Sequence, residues 1–504
     1  MTLHDHLTWK QTEPGRWERE IDEVEQCYTS LARTYAGSGR TLFAITGHIS
    51  FSVAAGRLED AIEALRNAWL RLRYDHPTLA SWVEYDRGSQ KCKKVYETFE
   101  KAGNSSAAQT AWLQETFRVV ETEGLTGEQW CNDDPPVPKL PTLFVIKRDQ
   151  SITTGGEMVA AADLVLRAHH DIIDGIGTLH LFDNLFRHAS QVYENWPGLP
   201  SPAFGGEWVN LSPPLRVAAS IPDSLTVEQK ERFHRIIAHN AALRDGARLA
   251  TVPFRPGEKI PKRHQRVALT LSPEQSHRLL VTCKTLGFSV THVYHAAIAL
   301  TVRDAQKRLA QDRQVRYISY SLINERAHCT QPFSTAQHAV SVYHSVSGQS
   351  MAIDLSVPAA ASPPPTQVHA RAEFMKVAEQ VKAYYLEIRN DTEHIAMVPS
   401  YWTLSTLPYP PETPSVPQPN LAPSASISSM GVIDQIIRAH RGPFELTNPW
   451  VTGEELGTGL GLFLGTFKGQ ICLSAAYNDA WHDMDEVMGL VTRCNALVCQ
   501  SLGV

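Results

Sequence analysis

The chain has 504 residues, 43% of them hydrophobic and 20% charged. That balance suits a folded protein rather than a disordered one, and the length exceeds one ordinary core, so two or three domains are expected. A formal net charge of −6 suggests no surface for nucleic acid or for an anionic membrane and fits an enzyme acting on a small molecule.

In chain order, residues 41–54 (TLFAITGHISFSVA) are rich in β-branched and aromatic types and read as a strand. In 58–73, Leu58, Ile62, Leu65, Trp69 and Leu72 recur at helical spacing, and the helix is expected to stop near His76-Pro77. Short strands are expected at 81–85, 93–97, 142–146 and 162–168, the last leading straight into two histidines, and a helix at 178–193. Residues 196–224 are loaded with proline and glycine and read as a domain connection. Strands at 266–271 and 315–323 flank a helix at 291–308, while 357–366 (VPAAASPPPT) and 407–424 read as exposed loops or linkers. A strand, turn, strand and helix close the chain at 462–467, 468–469, 470–475 and 485–499. Strands alternating with helices imply one layered α/β unit in each half, with a cleft between them suited to a ligand. The expected division is 1–205, a connection over 206–260, and 261–504.

The eight cysteines form no CxxC pair and stand at no zinc-finger spacing. Scattered thiols point to a reducing, intracellular location. No basic region precedes an apolar run at the start, and no stretch is apolar for long enough to span a bilayer. A cytoplasmic protein is therefore expected.

Residues 169–175 read HHDIIDG. A half-buried strand precedes them, and Gly175 permits backbone geometry that other residues resist. A histidine at such a strand end can face a cleft, and a neutral imidazole can take the proton of a hydroxyl as it attacks a thioester carbonyl. Asp174 could hold the turn through a buried ion pair. Two histidines and two aspartates could instead bind a metal, but neighbouring residues on a strand point to opposite faces, so His169 and His170 are not expected to share an ion. A structural histidine pair is the plainer alternative. A serine hydrolase would need a GxSxG elbow, which is absent.

This segment fits the HHxxxDG signature of the chloramphenicol acetyltransferase-like superfamily, which includes peptide-synthetase condensation domains and the plant acyltransferases that share HxxxD. Residues 9–20 (WKQTEPGRWERE), 72–80 (LRYDHPTLA), 207–214 (EWVNLSPP), 428–434 (SSMGVID) and 465–478 (GTFKGQICLSAAYN) resemble fungal acetyltransferases of the trichothecene 15-O-acetyltransferase type, and the resemblance runs from about residue 9 to 500. The plant-type DFGWG motif is absent.

The resemblance implies two chloramphenicol acetyltransferase-like layered α/β domains forming a pseudo-dimer with an interdomain tunnel. It implies His170 as general base and Asp174 as a structural aspartate paired with an arginine. Arg326, in the stretch Ile323-Asn324-Glu325-Arg326, is the first candidate partner and Arg73 the second, the alternative for each being an ordinary surface charge. Gly175 would allow the turn and His169 would pack or hydrogen-bond. Ser428 or Ser429 is the nominee for stabilising an oxyanion. It further implies acyl-CoA as co-substrate, with no tightly bound cofactor and no metal, and transfer of the acyl group to a hydroxyl or amine of a secondary-metabolite acceptor. A monomer is expected. A condensation-like alternative takes its donor from a carrier protein in trans. Two other classes are a binding protein on a degenerate fold, against which the intact motif argues, and a cyclising enzyme, which nothing in the sequence marks.

Overall fold

A computed structural model describes residues 4–504 except 87, 89, 90, 104, 123, 149–151, 155, 156, 196–199 and 410–412. Two main sheets, each backed by helices, organise the chain. The sheet of the first half runs in the order His440–Arg441, Phe444–Gly453, Ile45–Ala54, Glu157–Ala168, Thr142–Lys147, Phe117–Val120, with Ile152–Thr154 pairing beside Glu157–Ala168. Its helices are Leu58–Asp75 and Gly175–Asn195, which pack on each other. Their apolar faces meet the sheet in one core that takes in Ile49, Leu65, Trp69, Leu164, Leu179 and Phe182. Lys10–Glu13, Arg16–Glu20, Lys91–Glu97 and Ser81–Asp86 form a separate small antiparallel sheet.

The sheet of the second half runs His264–Thr270, Gln470–Asn478, Leu460–Phe467, Ala425–Val432. Helices Pro273–Leu286, Val290–Asp304, Gln367–Asn390 and Met484–Leu502 enclose its core. The hairpin at its centre turns on Lys468 and Gly469, both with positive φ (49° and 72°), the conformation a two-residue turn needs to match strand twist.

Several expectations change. The helix expected at 178–193 starts at Gly175, because Asp174 caps it. The helix expected at 291–308 ends at Asp304. The strand expected at 315–323 breaks into Arg313–Ser319 and Leu322–Asn324, each with a different partner. The connection over 206–260 contains a helix, Val227–Ala242, opened by a capping box between Thr226 and Gln229; residues 196–199 of the proline-rich stretch lie outside the described residues. The helix Gln367–Asn390 was not expected, although Phe374, Val377, Ala378 and Val381 carry helical spacing on its buried face. The largest departure concerns 261–504. Strand Phe444–Gly453 leaves the second sheet and pairs antiparallel with Ile45–Ala54, because Phe444, Leu446 and Val451 bury their side chains in the first core.

All eight cysteines are free. No single helix among the described residues is long and apolar enough to cross a membrane.

Candidate active site

Between strand Glu157–Ala168 and helix Gly175–Asn195 the chain makes a tight turn, closed by Ile172 N–H donating to the His169 carbonyl at 3.1 Å. Asp174 ends the turn as the helix cap: its Oδ1 accepts from the Gly177 amide at 2.7 Å, so a side chain that disfavours helix interiors starts this one. Its Oδ2 accepts from Arg326 Nη1 at 2.9 Å and from the Tyr343 amide at 2.8 Å. Both side chains of the Asp174–Arg326 pair are buried. Burial pushes the Asp174 carboxyl up, but the guanidinium and the hydrogen bonds outweigh it and hold the group below the usual carboxylate range. Arg326 arrives there because Leu322–Asn324 pairs with His344–Val346, setting Asn324 opposite His344, and Asn324 Oδ1 then accepts from the Arg326 amide at 3.2 Å.

His170 stacks on Tyr28, with ring centroids 3.8 Å apart and planes 13° from parallel, and lies 5.3 Å from the His344 ring. Its Nδ1 is enclosed and, among the described residues, has no hydrogen-bond partner. Among the described residues no carboxylate is hydrogen-bonded to the ring; Asp174 is occupied by Gly177, Tyr343 and Arg326. Burial, and secondarily His344, push the His170 pKa down to about 3 against the pull of its own backbone and Asp174. The imidazole is therefore neutral at ordinary pH.

The ring opens on a cavity of about 520 Å³ lined from both halves of the chain, including Tyr28, His344, Trp402, Ser428 and Glu455. His169 lines a different cavity together with Arg33, Lys139 and Asp171, so the two imidazoles do not converge on one point. Ser428 and Ser429 both line the His170 cavity, but Ser429 Oγ is tied to Thr291 Oγ1 at 2.9 Å.

The geometry corrects two roles expected from the sequence. Gly175 has no left-handed backbone; what its missing side chain supplies is room for Met430, whose Cε would lie 3.1 Å from a Cβ. The tighter position is Gly177, where a Cβ would stand 2.3 Å from the Ala339 carbonyl oxygen. Arg73 is neither the partner of Asp174 nor a surface charge. It is buried with its guanidinium carbon 3.5 Å from the Phe99 ring centroid and donates to the Glu97 carbonyl at 2.9 Å.

Sequence reasoning missed the other side of the turn. Buried Lys94 pairs with Glu25 and donates to the Asp171 carbonyl at 2.6 Å, and Arg19 also holds Glu25. Thr29 Oγ1 donates to Asp171 Oδ2 at 2.9 Å. The residues around His170 come from distant segments, and no local pattern marks Tyr28, His344 or Trp402; only the pairing of the Asn324 and His344 strands would have pointed to one of them.

The chain resembles proteins of known description over nearly its whole length. The model of the 15-O-acetyltransferase Tri3 family matches residues 42–354. The O-acetyltransferase pigM of Monascus ruber is 24% identical over 99% of this chain and 88% of its own, and the acetyltransferase pigO of the same organism is 23% identical over 99% of each. Among solved structures, the TRI3 trichothecene 15-O-acetyltransferase from Fusarium sporotrichioides superposes with a TM-score of 0.77 at 17% identity, covering 99% of each chain. The first condensation domain of the calcium-dependent antibiotic synthetase follows with a TM-score of 0.59 at 14% identity, covering 96% of each. The fold is thus the two-domain pseudo-dimer shared by these acetyltransferases and condensation domains.

Proposed function

The chain belongs to the 15-O-acetyltransferase Tri3 family, and from that premise we propose that it transfers an acetyl group from a CoA thioester to a hydroxyl of a secondary-metabolite acceptor, with His170 as general base. The observation that carries this reading is the neutral His170 ring on a cavity shared by both halves, at a turn held from one side by Asp174–Arg326 and from the other by Lys94. His170 takes the acceptor proton, the acceptor oxygen bonds to the thioester carbon, and the tetrahedral intermediate collapses with loss of the thiolate, which recovers the proton. Ser428 lines the cavity, and among the described residues its hydroxyl has no bond like that of Ser429 with Thr291, which supports the reading of Ser428 as a donor to the transient oxyanion. Asp174 acts through the turn and does not transfer a proton. The donor and acceptor would enter by separate mouths of a tunnel through the cavity.

Incubation with acetyl-CoA and a panel of fungal terpenoid and polyketide alcohols, read by mass spectrometry, tests this. A gain of one acetyl group that needs His170 is expected, with no change on adding a chelator. Likeness of fold to a condensation domain favours one further arm, with the acetyl group offered on a carrier protein. Transfer from the carrier alone would replace CoA in the reading, and transfer from neither would end it.

A further inference from the structure

The cavity that holds His170 also contains a carboxyl for which the reaction above has no use. Glu455 follows strand Phe444–Gly453 and lines the cavity wall. Its backbone is fixed, with the amide donating to His264 Nδ1 at 3.0 Å. Its carboxyl is different in kind from that of Asp174, the other carboxylate on the cavity. Asp174 is saturated by an arginine and two amides. Among the described residues no cation forms an ion pair with Glu455. Space has been made for the group: a Cβ on Gly461 would stand 2.9 Å from Glu455 Oε1, and Gly461 has no left-handed backbone to explain it otherwise. Nearby walls are aromatic and apolar, with Phe43, Tyr320 and Leu462 among them.

A half-buried carboxyl without a counter-charge is costly to ionise, and loss of solvent around it pushes this one up to about 7. In its neutral form it both donates and accepts a hydrogen bond. Two ligand chemistries could answer it: a cation, or an uncharged oxygen. The surroundings separate them. An ammonium brought against walls that are largely aromatic and apolar would lose its water for a single carboxyl. An uncharged oxygen pairs with the protonated carboxyl without burying a charge.

Resting on the function proposed above, we infer that Glu455 is a specificity-determining residue, hydrogen-bonding a second oxygen of a neutral, polyoxygenated acceptor while His170 attends to the hydroxyl that is acylated. Acceptors with one oxygen would enter the cavity but be held less well. A buried polar group left unpaired by the wrong ligand is a strong source of discrimination.

The test uses three uncharged or singly charged probes on one skeleton, 2-(2-naphthyl)ethanol, 1-(2-naphthyl)-1,2-ethanediol and 2-(2-naphthyl)ethylamine, titrated calorimetrically into the full chain without donor. The wild type should bind the diol roughly tenfold or more tightly than the mono-alcohol. Glu455→Leu should erase that preference, and Glu455→Gln, whose amide still donates and accepts, should keep most of it and guards against a folding defect in the leucine variant. A wild type that does not distinguish diol from mono-alcohol, or a leucine variant that still does, overturns the inference. Preference for the amine over the diol also overturns it, in favour of a cationic ligand. Because binding is read without acyl transfer, failure of the acetyl-CoA assay and failure here are separate results.

Discussion

In the reaction proposed above, His170 acts through where its ring is kept rather than through a hydrogen-bonded partner. A neutral imidazole stacked on Tyr28, with no carboxylate bonded to it, is ready to accept a proton across the whole physiological range. His170→Ala should lower turnover by about a hundredfold or more, the usual contribution of general-base help, while His169→Ala, on the other cavity, should be milder; rates at matched folding decide it. Equal losses would remove His170 as the base. With its pKa pushed down to about 3, the acid limb of the rate profile should not show a group titrating near 6.5, and a limb centred there would contradict the environment described. Asp174 carries another kind of expectation. Asp174→Ala leaves Arg326 buried without its partner and removes a helix cap, so about 3–5 kcal/mol of stability should be lost, measured by denaturant unfolding. Unchanged stability would show that the pair does not hold the turn. Of these residues, His170, Asp174 and Arg326 were readable by resemblance, through the HHxxxDG signature and the Asn324-Glu325-Arg326 stretch. Lys94 and Tyr28 were invisible, since burial of a lysine or a stacking tyrosine has no local signature.

At the scale of elements, the start of helix Gly175–Asn195 is the part that tolerates least. Gly177 lies where a Cβ would be 2.3 Å from the Ala339 carbonyl oxygen, and Arg326 Nη2 would be 3.0 Å away. Backbone on one side and the ion-paired arginine on the other cannot both yield, so Gly177→Ala should lower the melting temperature and displace Arg326. Gly489, exposed within helix Met484–Leu502, has nothing within 4 Å of its would-be Cβ. Gly489→Ala should raise stability by roughly 0.5–1 kcal/mol through helix propensity. Thermal unfolding of both variants checks the pair, and equal shifts would mean that helix propensity alone governs these positions. The same contrast explains which elements could be read beforehand. Leu58–Asp75 announces itself by a long run of apolar spacing, whereas Val227–Ala242 buries no residue fully and offers only its capping box and the short apolar set Phe233, Ile236 and Ile237. The short strands that deliver Arg326 are three residues each, too brief for alternation to show.

The molecule as a whole keeps many histidines uncharged. Burial pushes His170, His264 and His295 down to about 3, and His76, His180, His292 and His338 to about 4. Between pH 6.5 and about 4 the unfolded chain binds protons at these positions and the native chain does not, so stability falls as pH falls. Asp22 and Glu455, raised by burial to about 7, act in the opposite sense over the same window, since there the native state holds the proton. The histidines outnumber them, and the balance is a loss. Melting temperature should be lower at pH 5 than at pH 7.5, and an equal or higher value at pH 5 would show that the histidines are not kept neutral.

Strand Phe444–Gly453 sits beside Ile45–Ala54, and this bears on how the protein emerges from the ribosome. Glu157–Ala168 is available early, but the neighbour on the far side of Ile45–Ala54 is not made until almost the end of the message. At roughly 5–20 residues per second, half a minute or so of translation separates them. During that interval Ile45–Ala54 is an open edge carrying unpaired amides and carbonyls, the kind of surface on which a second nascent chain can dock. Holding that edge apart until residue 453 arrives is the interval in which a chaperone has the most to do.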